Sequence, residues 1–143
     1  MIEILEKVLA KIEEMEYCEL YPPSPILLDH LPLPADLRYF YSKYGGAELE
    51  TEDSFSIRIV RPEEVLVANR VIFEDFINEN NLKDEQIAPP DDMSWHWYVL
   101  AEYEGGNHIS IDLSPERHGI CYDSGWVIHS GNSYIVALSF TEF

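Results

Sequence analysis

Five histidines and 27 acidic side chains are the groups in this 143-residue sequence that invite a chemical reading. A bound metal needs such groups close together. His30, His96, His108, His118 and His129 form no His-x-His or His-x-x-x-His pair, so neither one strand face nor one helical turn presents two of them. His108 and Asp112 share strand parity, but their Cα atoms would lie roughly 13 Å apart along an extended strand, too far for one ion. Ordinary hydrogen-bonded or solvated imidazole is the default. Ser114 and Ser139 sit in turn and cap contexts, where hydroxyls satisfy backbone groups. No Gly-x-Ser-x-Gly elbow, P-loop or Gly-x-Gly-x-x-Gly run is present. Asp91 with Asp92, or Glu102 with Glu104, has the composition of an acid/base pair, yet adjacent acids in loops are ordinarily solvated. No catalytic, cofactor-binding or metal-ligating set is therefore expected.

Binding is the chemistry that remains. Nine basic residues against the 27 acids leave a formal net charge of −18, and beyond residue 70 only Lys83 and Arg117 are basic. A field of this sign repels nucleic acid and anionic membrane and speeds encounter with basic proteins. Acidity that only maintains solubility is the simpler alternative. Trp95-His96-Trp97 is the most distinctive local cluster. Read as a strand, it puts both indoles on one side and His96 on the other, so the indoles anchor the core. An indole left exposed would instead be a binding hot spot flanked by Asp91 and Asp92. The candidate partner contacts are Asp91, Asp92, Trp95, Glu102, Glu104, Glu116 and Asp123.

The elements that must position these residues centre on Trp97 to Trp126. Tyr98 to Tyr103 is an apolar β-prone run, Glu104-Gly105-Gly106-Asn107 supplies a tight hairpin, and His108 to Leu113 returns. In the return strand Ile109, Ile111 and Leu113 alternate, which buries one face and leaves His108, Ser110 and Asp112 together on the other. Further strands are expected at Ile120–Asp123, Trp126–His129, Tyr134–Leu138 and Phe55–Val60. Ile2, Leu5, Leu9 and Ile12, with Val8 and Met15, recur at helical spacing, and Leu37, Phe40, Tyr41 and Tyr44 make a second stripe. For that second helix Pro34 suits the first turn and Gly45 or Gly46 a left-handed C-cap. Arg61-Pro62 opens a third helical stretch toward Ile77, continuous or broken near Asn69. Ser139-Phe140-Thr141-Glu142 has capping-box spacing, so a helix begins where the sequence stops: either the final turn is vestigial or the natural chain continues past Phe143.

One domain spanning 1–143 is expected from the length, which suffices for a full core. Cys18 and Cys121 lack disulfide or metal spacing and read as buried thiols of a reducing compartment. No leader pattern and no apolar run of membrane-spanning length occurs, which points to the cytoplasm.

Several separated motifs then match one family. Leu33-Pro34-Ala35-Asp36-Leu37-Arg38 with Phe40, Tyr44-Gly45-Gly46, the Ile57–Pro62 strand and turn, Gly105-Gly106-Asn107 with Ile111-Asp112-Leu113, and Leu138 to Phe143 resemble the SUKH superfamily. The resemblance implies an α+β fold, a central mostly antiparallel sheet of about five or six strands packed by helices. It further implies an immunity protein that binds and blocks a cognate secreted toxin, often a nuclease. Fungal cell-wall assembly regulators share the superfamily, so a regulatory scaffold is the alternative, and a hydrolase or metal-dependent enzyme ranks below both. The family transfers no catalytic residue; Leu33, Pro34, Gly45, Gly46 and Asp112 are its structural positions. The partner implied is a basic protein toxin.

Overall fold

The glycine turn and its flanking runs fold as their chemistry predicts. The computed structural model describes residues 1–26, 28–50, 55–71, 88–125, 131 and 133–143. Strand β4 (Trp97–Tyr103) runs into a 3-10 turn at Glu104–Gly106, and β5 (Asn107–Asp112) returns antiparallel. Gly106 carries φ 84°, and nothing lies within 4 Å of the place its Cβ would occupy, so the backbone angle alone selects glycine. A bulge at Leu100 shifts the register between Val99 and Ala101. Val99 then faces with Ser110 and Ala101 with Ile109, on opposite sides, and Trp97, Val99, Leu100 and Ala101 are all buried.

Around this hairpin the sheet extends in sequence order. β1 (Cys18–Leu20), β2 (Ala47–Glu50) and β3 (Ser56–Ile59) precede it; β6 (Cys121–Gly125) and β7 (Tyr134–Ala137) follow. Every neighbouring pair is antiparallel, giving seven strands among the described residues, more than the five or six expected. The added strands are the short β1 and β2, at three and four residues too brief for alternation to register. The strand expected at Trp126–His129 lies outside the described residues.

Helices α1 (Ile2–Glu14) and α2 (Ala35–Lys43) form where expected, but α1 buries only Leu5 and Leu9 of its stripe, Val8 and Met15 being exposed. Leu5, Leu9, Leu37 and Phe40 join Ile59, Ala101, Ile109, Ile111, Cys121 and Phe140 in one core, with Phe40 and Phe140 rings 5.1 Å apart. Two tyrosines, Tyr39 on α2 and Tyr44 just past its end, tie α1 down: Tyr44 donates to Glu13 at 2.6 Å and Tyr39 to Glu6. The carboxylate partner, more than burial, pushes the Tyr44 phenol up to about 12. So Glu13, at the acidic end of α1, is occupied by the fold.

Four expectations need correction. Gly45 and Gly46 do not cap α2, because Tyr44 already leaves the helix at φ −137°. They sit where chains cross: a Cβ on Gly45 would lie 2.4 Å from the Pro22 carbonyl oxygen, and one on Gly46 (φ 126°) 2.8 Å from that of Ile59. The stretch after Arg61 is not one helix either. A 3-10 turn at Pro62–Glu64 gives way to backbone that runs beside β4, Val99 N–H donating to the Leu66 carbonyl at 3.0 Å, before a helical turn resumes at Ala68. Asn69 is then buried with its amide on Ser94 Oγ at 2.9 Å; the rest, 72–87, lies outside the described residues. The polar side of β5 is buried too, since Trp97 from β4 and Tyr122 from β6 stack 4.2 Å apart over the small Ser110 between them. Cys121 is a buried thiol as expected, pushed up to about 12 by burial, but Cys18 is only half-buried.

Candidate partner interface

Asp112 shows what a carboxylate does at one end of the sheet. Fully buried, it accepts from Trp97 Nε1 (2.9 Å) and Arg117 Nε (2.8 Å) through Oδ2 and from the Ser114 amide (2.8 Å) through Oδ1. It thereby shapes the β5–β6 turn, on which Glu116 is exposed. The segment before β4 meets this turn, Leu113 N–H donating to the His96 carbonyl at 3.0 Å. Here Asp92 caps a 3-10 turn (Met93–His96) by accepting from the Ser94 amide at 3.0 Å, and Asp91 is exposed beside it. The turn breaks the expected strand alternation of the tryptophans. Trp97 is completely buried, whereas Trp95 is half-buried and donates to the Pro89 carbonyl at 2.7 Å. Asp91, Asp92, Trp95 and Glu116 thus lie at the β5–β6 end.

Glu102, Glu104 and Asp123 lie toward the other end, roughly 20 Å away along β4. Directly opposed residues on five consecutive strands make a charged row: Glu19, Glu48, Arg58, Glu102 and His108. Arg58 forks to both oxygens of Glu64 (2.7 and 3.0 Å) and reaches Glu102 Oε2 at 2.6 Å, while Tyr21 donates to Glu48 at 2.9 Å. His108 Nε2 stands 3.7 Å from the other oxygen of Glu102. On the opposite face of β4 the Tyr103 hydroxyl donates to Asp123 Oδ1 at 2.7 Å. Glu104 is exposed at the hairpin tip.

The electrostatics of this end are those of fixed charge. The bond from Arg58 is the largest influence on Glu64 and holds its carboxyl below the usual range; Glu64 in turn raises the guanidinium. Burial first, then Asp123, pushes the Tyr103 phenol up. Neither pair is poised to exchange a proton near neutrality. Among the described residues, no group of three or more His, Cys, Asp or Glu converges on a metal-sized position.

Sequence reasoning missed two features. The Arg58 row is invisible because Glu48, Arg58 and Glu102 meet only through strand register. The second is β7, read as an apolar strand but left with Tyr134 65%, Ile135 53%, Val136 43% and neighbouring Leu138 62% exposed. Its signal was positional: among the described strands, β7 lies at the rim with β6 as its one neighbour.

The model of the SMI1 / KNR4 family (SUKH-1) matches residues 28–143 of the chain. The immunity protein YokJ of Bacillus subtilis (strain 168) is 31% identical over 142 residues, covering 96% of this chain and 79% of that protein. No solved structure matches the chain significantly.

Proposed function

Because this chain belongs to the SMI1/KNR4 (SUKH-1) family, we propose that it is an immunity protein, binding and neutralising a cognate secreted toxin in the cytoplasm. The observation that carries this reading is the near full-length similarity to immunity protein YokJ. On this reading the chain acts as a single domain, by occlusion and without turnover. The toxin is a cationic protein, a nuclease, because an inhibitor of net charge −18 gains most in encounter rate against a surface built to hold nucleic acid.

Of the two groups of candidate contacts, Glu102, Glu104 and Asp123 supply the better contact surface. Arg58 and Tyr103 already hold two of these carboxylates in place, so less side-chain freedom is lost on binding. Asp91, Asp92, Trp95 and Glu116 add to the steering field from the other end. The test is co-expression with the toxic domain encoded beside this chain's gene, scored by growth, followed by association rates across a salt series. Protection and a rate that falls as salt rises are expected. Undiminished toxicity would end the immunity reading, and a salt-independent rate would remove the carboxylate mechanism while leaving immunity standing.

A further inference from the structure

We propose that the toxin docks on β7 by adding an extended strand of its own to that edge of the sheet, an inference that rests on the immunity reading above. Three observations converge on this edge. Ser133 to Thr141 contains no charged side chain, so the edge lacks the lysine or glutamate with which exposed strands ordinarily discourage pairing. The opposite rim is guarded: β1 has exposed Glu19 at its centre, Pro22 and Pro23 just beyond it, and α1 packed against it.

Exposure on β7 is also distributed in an informative way. Tyr134 and Ile135 are consecutive and pair in regular register with Asp123 and Tyr122, so their side chains emerge on opposite faces of the sheet, with exposed Val136 at the bulge that follows. A partner laid flat on one face covers only some of them. An added strand lies in the plane of the sheet, and its own side chains pack beside these on both faces while its backbone pairs with the outward amides and carbonyls. The docking length is set by the fold, because the Leu138 amide is already taken by the Glu142 carboxylate at 2.9 Å. Among the described residues the available edge therefore spans Tyr134–Ala137.

Charge identifies the occupant. Asp123 is the cross-strand neighbour of Tyr134 at one end of the edge, and exposed Glu142 stands at the other. A neutral strip bracketed by carboxylates fits an apolar strand with cationic flanks, as a basic toxin would present. A second copy of this chain fits poorly, since it brings a further charge of −18 to the contact.

The experiment compares backbone amide hydrogen exchange of the free protein with that of its complex with the toxic domain encoded beside its gene. Amides within Tyr134–Ala137 are expected to slow at least about tenfold in the complex, with those of Cys18–Leu20 unchanged. In parallel, an Ile135→Glu/Val136→Glu variant, its fold checked by circular dichroism and melting, is expected to bind about 100-fold more weakly. That loss would occur although the substitutions add to the attraction for a cationic partner, which separates edge docking from steering. A complex that forms with unchanged β7 amides, or one that the folded variant retains within about threefold, overturns the inference and leaves immunity intact. A free protein that is a dimer, and that the variant turns monomeric, assigns the edge to a second copy and overturns it as well. Absence of any complex defeats both readings.

Discussion

At the β5–β6 end of the sheet Asp112 is wholly enclosed and accepts three hydrogen bonds, whereas at the β4–β5 end Glu64 and Glu102 share Arg58 with more than a third of each side chain in water. Both are carboxylates paired with arginine, but their surroundings give the pairs different physical weight. A buried carboxylate must be fully satisfied or the fold loses several kcal/mol, so Asp112 is committed to structure. A half-exposed pair contributes little to stability and remains open to another molecule. On the proposed immunity reading, the contrast favours the open end as the contact surface: its charges are positioned by the fold without being consumed by it.

Replacing Asp112 is the most direct way to break this contrast. Asp112→Ala strands the buried Trp97 indole N–H and unties the Arg117 turn, and is expected to cost about 3 kcal/mol in urea unfolding. A loss below about 1 kcal/mol would mean that the two ends do not differ in kind. Asp36→Ala should rank next. Asp36 is 1% exposed and accepts from the Leu37 amide and from both the amide and hydroxyl of Thr141, each at 2.9 Å. Its removal is expected to cost about 2 kcal/mol and to raise exchange of the final-turn amides, because it is the bond between the start of α2 and a turn 105 residues later.

These two carboxylates mark where the sequence was legible and where it stopped. The β4–β5 hairpin, the apolar stripes of α1 and α2, and the terminal Ser139–Glu142 motif could be read because each is set by neighbours within a few residues. Even there the last bond needed structure: Glu142 N–H finds Ser139 Oγ at 3.2 Å, as a capping box requires, but the Glu142 carboxylate goes to the Leu138 amide and not to that of Ser139. Nothing local to Asp36 announces its bond to Thr141, which lies 105 residues further on. Glycine conformations misled for the same reason: Gly45 and Gly46 answer to Pro22 and Ile59, far off in sequence. Of the candidate site, individual acids were nameable from composition, but their division between two ends depends on strand register.

Glu64→Gln sharpens the comparison from the open side. At neutral pH it should cost only about 0.5 kcal/mol, since both partners are partly solvated. The pH dependence carries the sign. Arg58 depresses the folded-state pKa of Glu64 below its ordinary 4.5, so the pair's contribution is present above that pH and is lost as pH falls through the folded value. The wild type and the variant should therefore converge in stability as the pH is lowered below the ordinary glutamate range. A gap that widened on acidification would contradict the assigned ion pair.

The finest test uses substitutions that leave stability unchanged. Glu104 and Glu116 are both exposed turn residues, one at each end of the sheet, and each loses one charge on conversion to glutamine. By net charge alone the two variants should slow association with the toxic domain equally. If docking occurs at the open end, Glu104 lies close to the incoming cations, whereas Glu116 lies beyond the Debye length of roughly 8 Å at physiological salt. Glu104→Gln should then reduce the association rate about twofold at physiological salt, with Glu116→Gln nearly silent. Adding salt should erase the difference, because screening removes the near interaction as well. Equal slowing by both would mean that the whole-molecule field steers the encounter and that the open end has no special claim. Greater slowing by Glu116→Gln would transfer the interface to the end that Asp112 holds closed.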